Sequence, residues 1–304
     1  MAEKMSNLAN RINLFLAGLK EKDKKELLLT YKGVLYPNLL CSSEAFEALE
    51  TMETRKEDML IVAYPKCGTN WMLHIVNEMV DACNKDLPPP EGFQMLEFKG
   101  PEDIQAMKNQ PSPRVFTTHL HYDNIPKSFI KNKVKILVIF RNPKDAAVSY
   151  YHFYNKNPVL PNASSWDEFF QKFMSGEVCW KSYFDHALAW DKHMDEENIM
   201  VLTFEDLKEN LSVGVKQIAE FYELPLSDEM MQSIADKATF QSMTNTSKAT
   251  HGEFGPILFR KGEVGDWKSL FTEVQSQEMD AKFEECLAGT KLGVKLKYDK
   301  YCKF

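Results

Sequence analysis

Short apolar runs of strand length alternate with amphipathic helical segments along this chain of 304 residues. The runs are bounded by charged or turn residues and cover 59–64, 115–118, 134–140 and 199–204. Strands that alternate with helices predict a parallel β-sheet covered by helices on both faces. Because ligands bind beyond the carboxyl ends of the strands in such sheets, we expect functional residues directly after the runs.

The segments between the runs carry apolar residues at three- and four-residue spacing, which is typical of helices. The predicted helices cover 70–82, 143–153, 180–195, 211–222 and 228–238. No internal repeat or low-complexity linker interrupts the pattern, and a hydrophobic content of 44% is enough for one large core. We therefore expect a single α/β domain over residues 1–304, with a mobile N-terminal segment of about 20 residues.

The charge balance and the cysteines argue against several classes of protein. A formal net charge of -7 disfavours a nucleic-acid binder, which needs a basic surface to neutralise phosphates. The N-terminus has early acidic residues and no long apolar run, so we expect no signal peptide or membrane anchor, and a cytoplasmic protein. The absence of CxxC pairs favours reduced thiols over disulfides or a zinc site. The cysteines are Cys41, Cys67, Cys83, Cys179, Cys286 and Cys302.

The segment YPKCGTNW, residues 64–71, follows the first apolar run and opens a predicted helix. Gly68 lets the backbone turn tightly, and free amides at the helix start favour a bound anion. Lys66 adds a positive charge, and Thr69 and Asn70 add side-chain donors. The pattern predicts a phosphate-binding loop, although an ordinary strand–helix turn with a solvated lysine fits about as well. The lysine precedes the glycine, so this is not a Walker A loop, and an ATPase or GTPase is disfavoured.

A second cationic position follows the run 134–140. Arg141 lies at the end of this predicted strand, and Ser149 lies about two helical turns further on. A guanidinium and a hydroxyl in these places can both reach one phosphate. The alternative is that Arg141 forms a surface salt bridge with Asp145 and that Ser149 has no special role.

A third segment, RKGEVGDW at residues 260–267, places two cations beside two glycines in a predicted loop. Basic side chains next to flexible backbone suit phosphate binding. A solvated basic turn is an equally good explanation of this loop when it is considered alone.

The three segments YPKCGTNW, RNPKDAAVSYYHF and RKGEVGDWKSLFT, in this order, resemble the cofactor motifs of the cytosolic sulfotransferases. They span residues 64–272, and within that family the chain looks closest to the 6B subfamily of vertebrates. The resemblance implies a P-loop-like phosphosulfate-binding strand-loop-helix within a single α/β domain. It also implies that 3′-phosphoadenosine 5′-phosphosulfate (PAPS) is the sulfonate donor and that no metal is needed.

The resemblance also implies roles for individual residues. Lys66 would be catalytic, because it neutralises charge on the leaving oxygen. Trp71 and Phe240 would lie against the adenine, although Trp71 also fits a helix core position, and Phe204 stands where the family usually has tyrosine. The 3′-phosphate would be bound by Arg141, Ser149, Arg260, Lys261 and Gly262. The full set of expected donor-binding residues is Lys66, Cys67, Gly68, Thr69, Asn70, Trp71, Arg141, Ser149, Phe204, Ala238, Thr239, Phe240, Met243, Leu258, Phe259, Arg260, Lys261 and Gly262.

His119, directly after the run 115–118, is the expected catalytic base, because the family reads Lys-Thr-His-Leu-Pro at this place. An imidazole can accept a hydroxyl proton, since its ordinary pKa lies near neutral pH. His121 and His152 compete with it on composition alone. Thr117 replaces the family's lysine, so we expect the rate or the acceptor range to change.

Cys67 replaces the serine that is common in the phosphosulfate loop of the family. A helix start and a nearby lysine can lower the pKa of a thiol. This pattern predicts mild sensitivity to oxidation at Cys67.

The expected acceptor is a small lipophilic compound with a hydroxyl group. Likeness to the 6B subfamily favours a phenol or an iodothyronine such as thyroxine, and steroids and alcohols remain open. The candidate lining of an apolar pocket is 93–98, Tyr122, Tyr150, Phe153 and 251–258.

The family's dimer motif, Lys-x-x-x-Thr-Val-x-x-x-Glu, occurs here in altered form. Its positions are Lys268, Thr272, Glu273 and Gln277. The charge at Glu273 predicts a weakened or absent homodimer, because such contacts are small and apolar. A PAPS-binding protein with weak or no catalysis remains an alternative function, in view of the departures at Thr117 and in the phosphosulfate loop. A nucleotide kinase is disfavoured by the missing Walker A order.

Overall fold

The computed structural model describes residues 27–85, 88, 94–251 and 254–303. At its centre is a four-stranded parallel sheet in the order β4-β3-β5-β6, and an antiparallel hairpin, β1-β2, precedes it in the chain. The strands are β1 Leu28–Tyr31, β2 Val34–Pro37, β3 Met59–Ala63, β4 Val115–Thr118, β5 Lys135–Phe140 and β6 Ile199–Thr203.

Strand β3 lies inside the sheet, where Leu60 is opposite Phe116 of β4 on one side and Ile136 of β5 on the other. All of its residues are buried, which explains why it reads as an unbroken apolar run rather than an alternating one. The predicted parallel sheet flanked by helices is confirmed. Each predicted strand ends within one residue of the observed one.

Helices connect the parallel strands and flank the sheet. They are α1 Ser43–Glu50, α2 Thr69–Cys83, α3 Pro101–Ala106, α4 Lys127–Lys131, α5 Pro143–Lys156, α6 Trp166–Ser175, α7 Tyr183–Asp191, α8 Phe204–Glu209, α9 Leu211–Tyr222, α10 Asp228–Lys237, α11 Phe240–His251, α12 Gly255–Leu258, α13 Glu273–Cys286, α14 Lys291–Lys295 and α15 Tyr298–Tyr301. Short 3-10 turns cover Leu96–Phe98, Met107–Asn109, Tyr122–Asn124 and Asp266–Ser269.

The predicted helix over 180–195 is too long at both ends, because the observed helix covers only Tyr183–Asp191. Trp180 and Lys181 both have φ of 61°, which is left-handed backbone that no helix contains. Helix α7 begins only at Tyr183, after Ser182 caps it by accepting hydrogen bonds from Phe184 N at 3.1 Å and Asp185 N at 3.3 Å. The apolar spacing of this segment is therefore produced partly by a turn.

The hairpin β1-β2 is not predicted by the sequence pattern, because its strands have four residues each and show no clean alternation. Its Tyr36 ring lies 4.4 Å from the Phe46 ring of α1 and 6.0 Å from the Trp180 ring, measured between centroids. The hairpin is thus tied to the turn before α7 by aromatic packing.

One buried hydrophobic cluster extends from Val34 to Cys302 and joins the sheet to its helices. That the domain covers residues 1–304 remains a prediction, and the predicted mobile N-terminal segment lies outside the described residues. Within the described ranges, no helix is both long and apolar enough to cross a bilayer.

Candidate active site

The loops that follow the four parallel strands lie side by side along the carboxyl edge of the sheet. Because the strand order is β4-β3-β5-β6, this edge presents His119, then Lys66, then Arg141 and then Phe204. The sheet therefore brings the predicted base next to residues that are predicted to bind the donor.

The loop after β3 makes a tight turn into helix α2. Gly68 has φ of 114°, and a Cβ added to it would lie 3.1 Å from Ile139 Cδ1 and 3.3 Å from Phe204 Cδ2. Glycine is needed there, since both the left-handed backbone and the close neighbours disfavour a side chain. Gly68 provides no side-chain cap, so the first amides of α2, at Thr69 and Asn70, remain donors for an anion.

Arg141 links three of the predicted segments. Its Nη1 donates to the carbonyl of Lys66 at 3.4 Å, and its Nη2 donates to the carbonyl of Glu263 at 2.7 Å. Its guanidinium carbon lies 4.5 Å from the centroid of the Phe204 ring. The loop after β3 and the C-terminal loop therefore meet at the side chain of Arg141.

Lys66 is partly buried between two of these segments. Its Nζ donates to the carbonyl of Leu258 at 3.3 Å and lies 4.4 Å from the centroid of the Phe153 ring. Burial lowers the pKa of Lys66 to about 7, and the positive charges of Arg141 and Arg260 add to this effect. An anion in the site would reverse the effect and favour the ammonium form.

The cations of the C-terminal loop share one carboxylate. Arg260 pairs with Asp266, and Lys261 Nζ lies 2.5 Å from the other oxygen of Asp266. Lys261 is the more exposed of the two cations, with 47% of its side chain accessible. Both positive charges are therefore held by Asp266 of their own loop, the loop that Arg141 contacts at Glu263.

Asp145 holds this loop against helix α5. It accepts hydrogen bonds from Gly265 N at 2.8 Å and from Trp267 N at 2.9 Å. Its carboxylate also lies 3.8 Å from Arg141, and both side chains are buried. The alternative of a surface salt bridge between Arg141 and Asp145 is therefore wrong, because the pair is part of a buried network.

Aromatic side chains cover the far end of the site. A Cβ on Gly262 would lie 2.2 Å from the Phe240 ring, so the loop passes directly over that ring. The Trp71 indole donates to the carbonyl of Ala238 at 2.8 Å and meets the Phe204 ring edge-on at 5.1 Å. The three predicted aromatic residues thus lie in segments that contact one another.

The other predicted donor-binding residues differ in how far they are exposed to solvent. Ser149 and Met243 are buried, and Phe259 follows α12 in a partly buried position. Thr239 is exposed, and its hydroxyl donates to the carbonyl of Asp236 at 3.1 Å.

His119 is buried behind the strand edge in a defined tautomer. Its Nδ1 lies 2.6 Å from the carbonyl oxygen of Ala63, which can only accept, so Nδ1 carries the proton and Nε2 has the free lone pair. Burial lowers the pKa of His119 to about 4, while the bond to Ala63 raises it and nearby Lys66 lowers it further. The imidazole is therefore neutral at pH 7 and can act as a base through Nε2.

The competing histidines are placed differently. His121 Nε2 lies 3.3 Å from the carbonyl oxygen of Trp180, so this nitrogen is a donor rather than a base. His152 lies on helix α5, where its ring packs 5.4 Å from the Tyr151 ring. Of the three, His119 alone follows a strand at the edge where the predicted donor-binding residues meet.

Thr117 contributes no charge where the family has lysine. Its hydroxyl donates to Met95 Sδ at 3.7 Å, and its backbone N–H donates to the carbonyl of Gln94 at 2.9 Å. The side chain is 1% exposed. A short, buried hydroxyl of this kind cannot take the place of an ammonium group.

The prediction that Cys67 is sensitive to oxidation is wrong. Its thiol is fully buried, and burial raises the pKa of Cys67 to about 12 despite the nearby positive charge of Arg141. The sequence shows a helix start and a lysine, but it does not show that the side chain points into the core. Desolvation of the thiolate outweighs both favourable charges.

Alkylation with iodoacetamide at pH 8 is expected to leave Cys67 unmodified in the folded protein, while the partly exposed Cys83 and Cys286 react first. Peptide mass spectrometry measures both outcomes in the same sample. Hydrogen peroxide should also affect wild type and Cys67→Ser to the same extent. Early modification of Cys67 in the folded state would contradict this interpretation.

The candidate acceptor residues are only partly brought to the site. Tyr150 is fully buried, with its hydroxyl donating to the carbonyl of Cys179 at 3.1 Å, so its prediction as pocket lining is wrong. Tyr122 stacks on the ring of His193 at 3.4 Å. Phe153 does lie in the site, beside Lys66. Phe93 and residues 252–253 lie outside the described residues.

Unpaired buried polar atoms show what these loops can hold. Within the described part of the chain, Thr69 Oγ1, Arg141 Nε and Arg260 Nε have no hydrogen-bond partner. A buried donor without a partner costs about 1–3 kcal/mol, so these positions fit a bound polyanion such as a nucleotide phosphate. The same ranges contain no cluster of three or more histidine, cysteine or acidic side chains that could hold a metal ion.

Comparison with known families agrees with this geometry. Residues 56–291 match the family described as the sulfotransferase domain. The chain belongs to the sulfotransferase family. It is 54% identical to sulfotransferase 6B1 of Mus musculus over 302 residues, covering 99% of each chain. It is 53% identical to sulfotransferase 6B1 of Homo sapiens over 303 residues, covering 100% of each.

Solved structures show the same fold as this sulfotransferase. Mouse sulfotransferase SULT7A1 complexed with PAP superposes with a TM-score of 0.79 at 30% identity, covering 90% of this chain and 99% of that one. Retinol dehydratase, solved with androsterone and the inactive cofactor PAP, superposes with a TM-score of 0.70 at 19% identity, covering 90% and 96%. The second likeness concerns the fold alone.

One contact of the predicted base His119 is not predicted by the sequence, which places Glu97 only within the candidate pocket lining 93–98. Glu97 is fully buried, and its Oε1 accepts a hydrogen bond from the backbone N–H of His119 at 2.7 Å. A single charged residue within the largely apolar stretch QMLEF is the signal that could have indicated a buried carboxylate.

Proposed function

We propose that this sulfotransferase transfers the sulfonate group of PAPS to the hydroxyl of a small lipophilic acceptor and releases 3′,5′-phosphoadenosine. The observation that carries the proposal is the row of His119, Lys66 and Arg141 on one edge of the sheet. Transfer of an anionic group is suited by a neutral base, a partly buried lysine and a guanidinium in that order.

The residues that would hold PAPS fall into two groups. The amides at the start of α2, with Lys66 and Thr69, suit the phosphosulfate end. Arg141 contacts the C-terminal loop at Glu263, and this loop carries Arg260 and Lys261, so these three cations suit the 3′-phosphate. When bound, PAPS supplies the sulfonate and a leaving group that accepts negative charge.

The remaining chemistry belongs to the side chains of the protein. His119 accepts the proton of the acceptor hydroxyl at Nε2, because Nδ1 is committed to Ala63. Lys66 lies where it can neutralise the charge that develops on the leaving oxygen. Trp71 and Phe240 offer aromatic faces for the adenine, with the indole N–H of Trp71 held by Ala238.

For the acceptor, we favour a phenol or an iodothyronine such as thyroxine over a steroid or an alcohol. Support comes from the similarity to sulfotransferase 6B1 proteins over the whole chain. A phenol releases its proton more readily than an alcohol, which suits a base whose pKa is as low as about 4.

A PAPS-binding protein with weak catalysis is the second candidate. Thr117, buried against Met95, leaves the edge without the lysine that the family carries beside the base. Neutral His119 beside Lys66 favours the enzyme over this alternative.

The deciding experiment measures transfer from ³⁵S-labelled PAPS to a panel of phenols, iodothyronines, steroids and alcohols, alongside calorimetric binding of PAP. Transfer to a phenolic compound, unchanged by EDTA, would support the proposal. Tight PAP binding with no transfer to any acceptor would support the binding protein. Transfer to steroids or alcohols alone would contradict the proposed acceptor class.

We also propose a cytoplasmic protein that forms one domain over its whole length and whose homodimer is weakened or absent. The altered dimer motif lies around the start of α13, where Thr272 caps the helix and Glu273 is exposed. Val274, next to it, is 72% exposed. A like-charged pair of glutamates facing each other would oppose a small apolar contact.

Light scattering at micromolar concentration is expected to give a mass near 35.1 kDa. Glu273→Val is the matched variant, and it should shift the mass toward that of a dimer because it removes the charge. A wild-type mass near twice the monomer value would overturn the expectation.

A further inference from the structure

Glu97 lies where a carboxylate is costly to bury. Its side chain is fully buried, yet only Oε1 has hydrogen-bond partners, while Oε2 has none among the described residues. Oε1 accepts from the backbone N–H of His119 at 2.7 Å and from the indole N–H of Trp180 at 3.2 Å. One oxygen atom therefore joins the catalytic segment to the turn before α7.

The turn that carries Trp180 is fixed on several sides. Trp180 N donates to the carbonyl of Leu35 at 3.0 Å, and Cys179 N donates to the hydroxyl of Tyr154 at 2.7 Å. The carbonyl of Lys181 accepts from the hydroxyl of Tyr64 at 2.8 Å. Non-glycine residues with positive φ persist only where the surroundings hold them, and they cluster at functional sites.

The same indole also meets the imidazole of His119. The two rings lie 4.9 Å apart at an interplanar angle of 79°, an edge-on contact. His119 is thus held at its backbone by Glu97, at Nδ1 by Ala63 and at its ring by Trp180. These three contacts leave Nε2 as the atom that faces the reaction.

We propose that Glu97 and Trp180 are positioning residues for the catalytic base, holding His119 in the orientation in which Nε2 accepts the acceptor proton. The proposal rests on the proposed function and deepens it. A misplacement of about 1 Å at a reacting group can cost about 10²-fold in rate.

The protonation of Glu97 is compatible with this role. Burial raises the pKa of Glu97 to about 7, and the hydrogen bond from His119 opposes the rise. Both protonation states leave an oxygen that can accept the two hydrogen bonds. The titratable groups that face His119 are Lys66, His186 and Glu97 itself.

The test compares Glu97→Gln with Glu97→Leu. Glutamine keeps an oxygen acceptor at Oε1, whereas leucine has a similar size and removes it. Glu97→Leu should lower kcat by about 10²-fold, with PAP affinity within about twofold. Glu97→Gln should lower kcat by less than about tenfold. A hydrogen bond to a neutral acceptor is roughly half as strong as one to a charged acceptor, so part of the interaction is kept. Trp180→Phe keeps an aromatic ring and removes the N–H. Its kcat should lie between those of Glu97→Leu and Glu97→Gln.

A pH profile separates positioning from a general structural role. In wild type, kcat/KM for the acceptor at saturating PAPS should stay flat from pH 5 to 7, because the pKa of His119 is about 4. In Glu97→Leu the imidazole is released from its buried place, its pKa returns toward about 6.5, and the rate falls below that pH. A variant that is merely less stable keeps the wild-type profile with a smaller amplitude.

An NMR titration of the His119 ring, assigned with His119→Gln, provides a readout that needs no turnover. A raised pKa of His119 in Glu97→Leu supports the proposal even if the protein transfers sulfonate to no acceptor tested. An unchanged pKa together with unchanged kcat would overturn it. A parallel loss of kcat and PAP binding with an unchanged pH profile would overturn it as well.

Discussion

Replacing His119 with alanine is expected to lower kcat by about 10²- to 10⁴-fold, the range that a general base contributes, and to leave PAP binding intact. The rate falls because His119 Nε2 is the nitrogen left free to accept a proton directly after β4, whereas Nε2 of His121 is a donor. PAP affinity stays within about twofold, since Arg141 and the start of α2 do not depend on the imidazole. Turnover of labelled PAPS and calorimetry with PAP measure the two effects separately.

The matched control is His121→Ala, two positions along the same segment. Its Nε2 is a donor to the carbonyl of Trp180, so this change should leave most of the activity. If His121→Ala were the more damaging variant, or if His119→Ala kept most of the wild-type rate, the assignment of the base would be wrong.

Replacing Lys66 with methionine is expected to lower kcat by about 10²- to 10³-fold, the effect of removing one preorganised group from a developing negative charge. Methionine keeps much of the length and apolar contact of the lysine stem. Lys261→Met is the control, because Lys261 is half-exposed and paired with Asp266. It should weaken PAP binding and leave kcat at saturating PAPS nearly unchanged.

The lowered pKa of Lys66 also predicts how PAP binding depends on pH. Its pKa in the free protein is lowered to about 7, so the side chain is mostly charged below this pH and mostly neutral above it. Binding an anion favours the charged form, hence the PAP dissociation constant should rise by up to about tenfold per pH unit above 7. Calorimetry from pH 6 to 9 should show this slope in wild type and not in Lys66→Met. A flat wild-type curve would contradict the lowered pKa.

The strands and the loops of the site were predictable because they depend on local sequence. A buried parallel strand reads as a continuous apolar run, and the residue after it lies at the carboxyl edge. That rule indicates the loops that carry His119, Lys66 and Arg141, and the resemblance to the family selects these residues within them. The resemblance to the family adds their expected roles.

Other features depended on contacts between distant parts of the chain. Cys67 sits beside a lysine and a helix start, yet its pKa is raised, because its thiol points into the core. Glu97 reaches His119 because residues 94–97 run beside β4, where Met95 pairs with Thr117. The left-handed turn at Trp180 interrupts a helical spacing that the sequence alone would continue.

The sequence by itself determined the parallel sheet, the family and the residues at the strand ends, because apolar periodicity and short motifs are local properties. Only the tertiary structure decided which of these groups are buried, which nitrogen of His119 is free, and how Glu97 and Trp180 hold it. Burial and hydrogen-bond distance depend on residues brought together from far along the chain, and these quantities set the pKa of each group.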